Sequence, residues 1–250
     1  MRRGLLSTRS VAQRAIAEGR VLVGGLPATR PATLVDDRVA VSLVPAGRQW
    51  ASRGGTKLAA ALDAFSVEPA GRRCLDVGAS TGGFTDVLLS RGAVSVTAVD
   101  VGYGQLDWRL RSDPRVTVFD RTNFRTADPA TLGAPFDLVT IDVSFISVRL
   151  LAANLAACGR RGTDYVVLVK PQFEVGREQV GRGGLVADPS GHAGAIDGVA
   201  RALGEAGIGP VGVCPSPIAG ATGNREFFLH GRHGTEPAMN RESVEAVVSS

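Results

Sequence analysis

The sequence predicts an α/β protein: a doubly wound, seven-stranded domain preceded by a small α+β segment. Three observations carry this. From Arg72 nearly to the end, β-branched runs alternate with helix-like stretches, with CLDVG, VSVTAVD, RVTVF, FDLVTID, YVVLVK, GPVGVC and EFFLH as the strands. Between the first strand and its helix stands LDVGASTGGF, Leu75 to Phe84, where glycines supply a tight turn that lets backbone approach a ligand. Ahead of this domain the charge changes sign: the chain through Lys57 carries +7 and the remainder −3, so the N-terminal part is the one suited to a polyanion.

The elements follow in order. Residues 7 to 18, STRSVAQRAIAE, suit a helix capped at Ser7 or Thr8, with Val11, Ala15 and Ile16 on one face and Gly19 as its stop. Arg20 to Val23 reads as a strand, GGLPATRPAT as turns, and Asp37 to Val44 as a second strand with Val39, Val41 and Leu43 facing one way. PAGRQWA, Pro45 to Ala51, is a linker whose Trp50 packs between the two parts or serves as a hinge or stacking residue. RGGTKLAAALDAF forms a helix with Leu58, Leu62 and Phe65 on its buried stripe. Lys57 falls in its first turn, where the helix dipole disfavours a cation unless something specific holds it. Further helices are expected near 82–91, 104–111, 146–158 and 190–206. The glycine-rich stretch 171–188 reads as a functional lid or a disordered surface loop, and 236–250 as an uninformative tail.

With 250 residues, 44% of them hydrophobic and 21% charged, the chain can bury a full core. No apolar run approaches the roughly 20 residues that span a bilayer, and MRRGLLSTRS lacks the apolar core of a signal peptide, so a cytoplasmic location is expected. Cys74, Cys158 and Cys214 are isolated and read as buried thiols; His192, His230 and His233 have no ligand spacing, so no metal site is expected. Of 28 basic residues only Lys57 and Lys170 are lysine. Arginine keeps its proton in a protein, whereas a lysine amine can release one, and this sets the two lysines apart.

The glycine turn has an acid, Asp76, two residues before Gly78 and no third glycine in the dinucleotide register. It therefore fits the S-adenosylmethionine (SAM) loop of Rossmann-like methyltransferases better than the GxGxxG nicotinamide loop. Asp76, Gly78, Ala79, Ser80, Thr81, Gly82, Gly83 and Phe84 are accordingly the expected cofactor-binding residues. Asp100 ends the second strand at the right distance to accept two ribose hydroxyls, and Asp120, past the third, is placed to read an adenine amino group. Asp142 ends FDLVTID, Lys170 ends YVVLVK, and Glu226 opens EFFLH. Strand ends on one edge of a doubly wound sheet converge on one crevice, and the helix carrying Lys57 can pack beside it. Two lysines and two carboxylates beside a SAM methyl group suit attack by a ribose 2′-hydroxyl, a poor nucleophile that needs a base in reach; Lys170 is the candidate. Holding the hydroxyl in line contributes alongside basicity.

GRVLVGG, Gly19 to Gly25, with the helix before it resembles the S4 RNA-binding module, which presents arginines to structured RNA. That resemblance implies RNA contacts by Arg3, Arg9, Arg14 and Arg20, and it implies a shortened start at Met1, because an S4 module ordinarily has about one more helix ahead of this point. The strings SRGGTKL, LDVGASTGGFTDVLL, TIDVSFIS, LVKPQFE and GNREFF place Lys57, Asp142, Lys170 and Glu226 in the order of the K-D-K-E tetrad of FtsJ-like ribose 2′-O-methyltransferases. From Arg2 to about His230 the chain resembles the TlyA family, historically also called hemolysins. The resemblance implies an S4-like segment over 1–45, a linker over 46–52, a methyltransferase domain over 53–235 and catalysis by the four tetrad residues. It further implies SAM as cofactor and cytidine of ribosomal RNA, within ribosomal subunits, as substrate. A monomer or weak dimer is expected, without membrane or metal.

Other chemistries fit less well. A nicotinamide oxidoreductase could use the glycine turn and Asp100, but Tyr103 and Tyr165 are misplaced for a Tyr-xxx-Lys relay. Exocyclic amine methylation uses an Asn/Asp-Pro-Pro-aromatic string where this chain has DVSF, and 5-methylcytosine formation needs a cysteine at a motif position. A membrane-active toxin would need a spanning or long amphipathic helix. An RNA-binding assembly factor without catalysis would be indifferent to loss of Lys170.

Overall fold

The computed structural model describes residues 5–6, 8–17, 21–28, 30–32, 35–36, 38–43 and 50–249. They form two compact units, one ending at Gln49 and the other starting at Trp50. Arg3, Arg20, Ser7, Gly19 and the linker positions before Trp50 lie outside the described residues, as does the side chain of Arg14.

In the first unit, helix α1 (Arg9–Ala17) precedes strands β1 (Val21–Val23), β2 (Leu26–Pro27) and β3 (Val41–Leu43). Thr8 caps α1 by accepting the N–H of Val11 on its hydroxyl at 3.3 Å, and Ala15 is fully buried. The three strands form an antiparallel sheet in the order β2-β1-β3, with Val23 opposite both Leu26 and Val41. Part of the stretch expected as turns is thus a strand. Gly24 and Gly25 both have positive φ (59° and 84°), the backbone of a two-residue hairpin, and Pro27 sits on an edge strand where no N–H is missed.

The second unit opens with α2 (Arg53–Phe65) and β4 (Arg73–Val77), followed by α3 (Gly83–Ser90), β5 (Ser95–Val99), α4 (Trp108–Arg111), β6 (Val116–Phe119), α5 (Pro129–Leu132) and β7 (Leu138–Ile141). A 3₁₀ turn over Val148–Leu151 leads into α6 (Ala152–Ala157), then come β8 (Asp164–Val169), α7 (Pro171–Glu174), α8 (Pro189–Glu205), β9 (Ile208–Pro215), β10 (Phe227–His233) and α9 (Arg241–Ser249). The seven strands of this unit lie in the order β6-β5-β4-β7-β8-β10-β9. β6, β5, β4, β7 and β8 run parallel to one another, whereas β10 runs antiparallel to both β8 and β9. The order reverses between β4 and β7, so their carboxyl ends open a crevice.

Both faces of the sheet are covered, which is why its strands read as apolar runs rather than alternating ones. Val167 and Val169 of β8 join Leu155, Ile196, Val199 and Val244 in one core layer, while Val166 and Leu168 join Leu58, Leu62, Val87, Leu88 and Phe228 in the other. Two sequence expectations change here. The final residues are not a loose tail: α9 buries Val244 and Val248, and Arg225 donates to the carbonyls of Val248 (2.8 Å) and Val247 (3.3 Å). The stretch 171–188 is neither loop nor disorder alone, since it contains α7 and two 3₁₀ turns. Buried Asn224 ties it down, accepting from Val186 N–H (2.9 Å) and donating to the Gly184 carbonyl (2.8 Å). Trp50 belongs to the second unit, with its ring against Gly55 of α2.

Candidate active site

The turn after β4 is shaped by backbone first. Gly78 has φ +84°, and a Cβ there would strike the carbonyl of Asp142 at the end of β7, so only glycine lets the turn run that close. Ser80 also has positive φ (47°), a conformation disfavoured for a side-chain residue. Asp100 holds it: one carboxylate oxygen accepts the Ser80 N–H at 2.8 Å and the other the Gly102 N–H at 2.7 Å. The Ser80 hydroxyl donates to Gln105 at 3.2 Å.

Two adjoining cavities meet at this turn. One, of about 410 Å³, is lined by Ser52, Arg53 and Lys57, by Gly78 to Thr81, Gly83 and Phe84, and by Asp142. The other, of about 330 Å³, has Asp100, Val101, Gln105 and Thr122 on one side and Val143 to Ile146 on the other. Gly78, Ser80 and Asp142 border both.

The structure joins the four predicted residues as two ion pairs, and one member of each, Lys57 and Asp142, lines the first cavity. Lys57 Nζ lies 2.5 Å from Glu226 Oε2, and Lys170 Nζ lies 2.5 Å from Asp142 Oδ1 while donating to the Ser144 hydroxyl at 2.9 Å. Lys57 and Glu226 are 8% and 4% exposed. Ser52 caps α2 by accepting the Gly54 N–H, so the helix starts at Arg53 as read from the sequence, and Lys57, its fifth residue, falls just past the first turn; Glu226 is the specific partner that holds it. Glu226 reaches it because antiparallel β10 begins at the edge where the parallel strands end.

Two residues expected at the cofactor line neither cavity. Asp76 is fully buried behind the turn, accepting from the Thr85 hydroxyl (2.6 Å) and the Thr140 hydroxyl (3.2 Å). Burial pushes its pKa up to about 7, opposed by the Thr85 hydrogen bond and reinforced by the charge of Asp142. It braces the turn from behind rather than lining the cavity. Asp120 lines neither cavity, and its carboxylate is paired with Arg111 at 2.6 Å. An acid at a strand end is legible in sequence, but its partner on α4 is not. Arg9, the one predicted RNA-contact residue whose side chain is described, is exposed.

Sequence reasoning also missed neighbours of this cluster. Ser144 and Phe145 lie in the DVSF string, considered only as a variant of another motif. Phe145 has φ +66°, is 92% exposed and tilts against Phe173 with ring centroids 5.4 Å apart. An exposed aromatic with strained backbone beside two ion pairs is a signal that only coordinates reveal. Among the described residues there is no group of side chains that could hold a metal ion and no helix long and apolar enough to cross a membrane.

Comparison with known proteins agrees with this geometry. The family described as FtsJ-like methyltransferase matches residues 50–233, and the S4 domain matches residues 2–38. The chain is 51% identical over 249 residues to the 16S/23S rRNA (cytidine-2′-O)-methyltransferase TlyA of Mycobacterium tuberculosis, covering 99% of this chain and 93% of that protein. It is 36% identical over 228 residues to Hemolysin A of Brachyspira hyodysenteriae, covering 91% and 95%. A solved structure from Streptococcus thermophilus, provisionally named a hemolysin, superposes with a TM-score of 0.79 at 39% identity, covering 99% of this chain and 91% of that one.

Proposed function

Because the chain belongs to the FtsJ-like methyltransferase family, and is a SAM-dependent enzyme with an S4 domain ahead of its catalytic part, we propose that it methylates the ribose 2′-hydroxyl of a cytidine in ribosomal RNA. Lys170 is the general base in a Lys57-Asp142-Lys170-Glu226 tetrad. The observation that carries this reading is that both lysines of the chain are paired with carboxylates and that one member of each pair, Lys57 and Asp142, lines the same cavity. The substrate assignment is supported by the relative from Mycobacterium tuberculosis, whose name specifies that reaction.

The residues present suit SAM. Two adjoining cavities that share Gly78, Ser80 and Asp142 match a ligand with an amino-acid end and a nucleoside end, and Asp100 keeps free lone pairs beside its two backbone bonds to accept ribose hydroxyls. Bound SAM supplies an electrophilic methyl group. Asp142 and Ser144 fix the direction of Lys170 Nζ, so that in its uncharged form the amine's lone pair faces the attacking hydroxyl. The proton leaving the 2′-oxygen passes to Nζ, and the ammonium so formed is stabilised by Asp142. Lys57, steadied by Glu226, places a fixed donor and positive charge at the same cavity and orients the substrate. Phe145 stands where a base exposed from folded RNA can stack.

Residues 1–45, with Arg3, Arg9, Arg14 and Arg20, serve RNA binding, and 53–235 serve the chemistry. Ribosomal subunits as substrate place the enzyme in the cytoplasm. A single chain carries the whole tetrad, consistent with action as a monomer.

The test is transfer of labelled methyl from SAM to purified small and large ribosomal subunits, followed by nucleoside analysis. Labelled cytidine resistant to alkaline cleavage is expected, and label on a base or on neither subunit would overturn the reading. Lys170→Arg keeps the charge but not the removable proton. It should lose roughly 10²- to 10⁴-fold in turnover while SAM and RNA still bind, and near-normal turnover would remove the general-base role.

A further inference from the structure

Two loops leave the sheet side by side at the reacting end. One follows β7 and carries Asp142, Ser144 and Phe145; the other follows β8 and begins with Lys170. Glu174, the last residue of α7, lies between them and is 6% exposed. One of its carboxylate oxygens accepts the Ser147 hydroxyl at 2.5 Å, and the other accepts the Val148 N–H at 2.8 Å. Arg149 Nε stands 3.4 Å from the carboxylate, and the same guanidinium donates to the Glu174 carbonyl at 3.0 Å. The preceding Phe173 touches Phe145.

The methyl-transfer scheme uses neither Glu174 nor its partners Ser147, Val148 and Arg149. A buried carboxylate is costly to desolvate, and an apolar side chain would have packed α7 against its neighbours without that cost. What the carboxylate adds is direction, because each of its donors comes from the loop 147–149 and fixes one vector. Burial raises the Glu174 pKa, opposed by the Ser147 hydroxyl, the Val148 N–H and Arg149.

We propose that Glu174 is a positioning residue for methyl transfer: it locks the loop after β7 to the turn after β8, so that Asp142, Ser144 and Lys170 meet in one geometry with Phe145 beside them. The inference rests on the reading of Lys170 as the base. Because Val143 to Ile146 also line the second cavity, the latch sets the base relative to the cofactor as well as to the RNA.

The experiment measures single-turnover methyl transfer by the full chain on ribosomal subunits, with SAM affinity and thermal unfolding measured in parallel. Glu174→Ala should lose about 10²-fold in rate, the scale of a 1 Å misplacement, with SAM affinity within about threefold. Glu174→Gln, which keeps an acceptor for Val148 and a donor toward Ser147, should recover most of that loss. In a Lys170→Arg background Glu174→Ala should cost less than about threefold, because the base it positions is already gone. Equal losses in both backgrounds, or a loss under about threefold in the native background, would overturn the proposal. Should Glu174→Ala fail to fold, Ser147→Ala removes one donor from the opposite side and is read by the same criteria. Near-normal turnover in Lys170→Arg removes the base assignment and this inference with it. A crippled Lys170→Arg beside unaffected Glu174 variants removes only the inference.

Discussion

The turn proposed to cradle the cofactor runs from Gly78 to Phe84 with Asp76 braced behind it, and is shaped by backbone conformation, with Gly78 against the Asp142 carbonyl and Ser80 held in positive φ by Asp100. The proposed reacting end is made of side chains from positions 57, 142, 170 and 226, joined only as ion pairs across the folded chain. The first is a local object that a motif can encode. The second exists only when α2, β7, β8 and β10 have all arrived, so its integrity reports on the whole domain. The two regions should therefore fail differently when altered.

The largest effect is expected at the distributed end. Lys57→Ala leaves Glu226 buried without its cation, a change that costs about 3–5 kcal/mol and lowers the unfolding midpoint by roughly 10 °C in a domain of this size. Adding Glu226→Ala to the same chain should recover part of that stability in denaturant titration. A single variant as stable as the native protein would mean the pair lies closer to solvent than its burial indicates.

Next comes the local end. Gly78→Ala demands positive φ of alanine and drives its Cβ into the Asp142 carbonyl. We expect SAM affinity, read by calorimetry, to fall on the order of 10²-fold, about 2.7 kcal/mol, with a smaller loss of global stability. If unfolding moved as far as in Lys57→Ala, the cradle would not be local.

The effect smallest per step of the experiment, one pH unit, concerns the brace behind the cradle. Burial pushes the Asp76 pKa up to about 7 from the ordinary carboxylate value of 3.8, so between those values the native state holds the extra proton. Stability then falls as pH rises through that window, by at most about 1.4 kcal/mol per pH unit. Asp76→Asn mimics the protonated form and can still meet Thr85 and Thr140. Its stability relative to the native protein should rise from pH 4 to pH 7, and a flat difference would show that Asp76 is ionised throughout.

Much of the fold and half of the site were legible in sequence, for a physical reason visible in particular residues. DYVVLV is buried at every position because helices cover both faces of β8, and a run of that kind can be read without knowing which helices. Gly78 and Asp100 stand at fixed spacing because turn and strand geometry are local. Phe145, Glu174 and Ser144 were missed because nothing about a Phe, Glu or Ser in those strings says what lies across the loop. The α9 helix was missed for a related reason: nine residues with two buried valines have too weak a period to stand out from a tail.

By itself, the sequence determined the α/β alternation, the glycine turn, the acid beyond the second strand, and the singling out of two lysines in an arginine-rich chain. These depend on intervals of a few residues or on composition, which backbone sterics and burial impose wherever the segment ends up. Only the tertiary structure decided that Lys57 meets Glu226, that Asp76 lies behind the turn, that Asp120 pairs with Arg111 and that Glu174 latches two loops together. Those outcomes turn on which side chains packing brings within about 3 Å of one another, and an antiparallel β10 or the lie of α7 is settled by the whole core rather than by its neighbours in the chain.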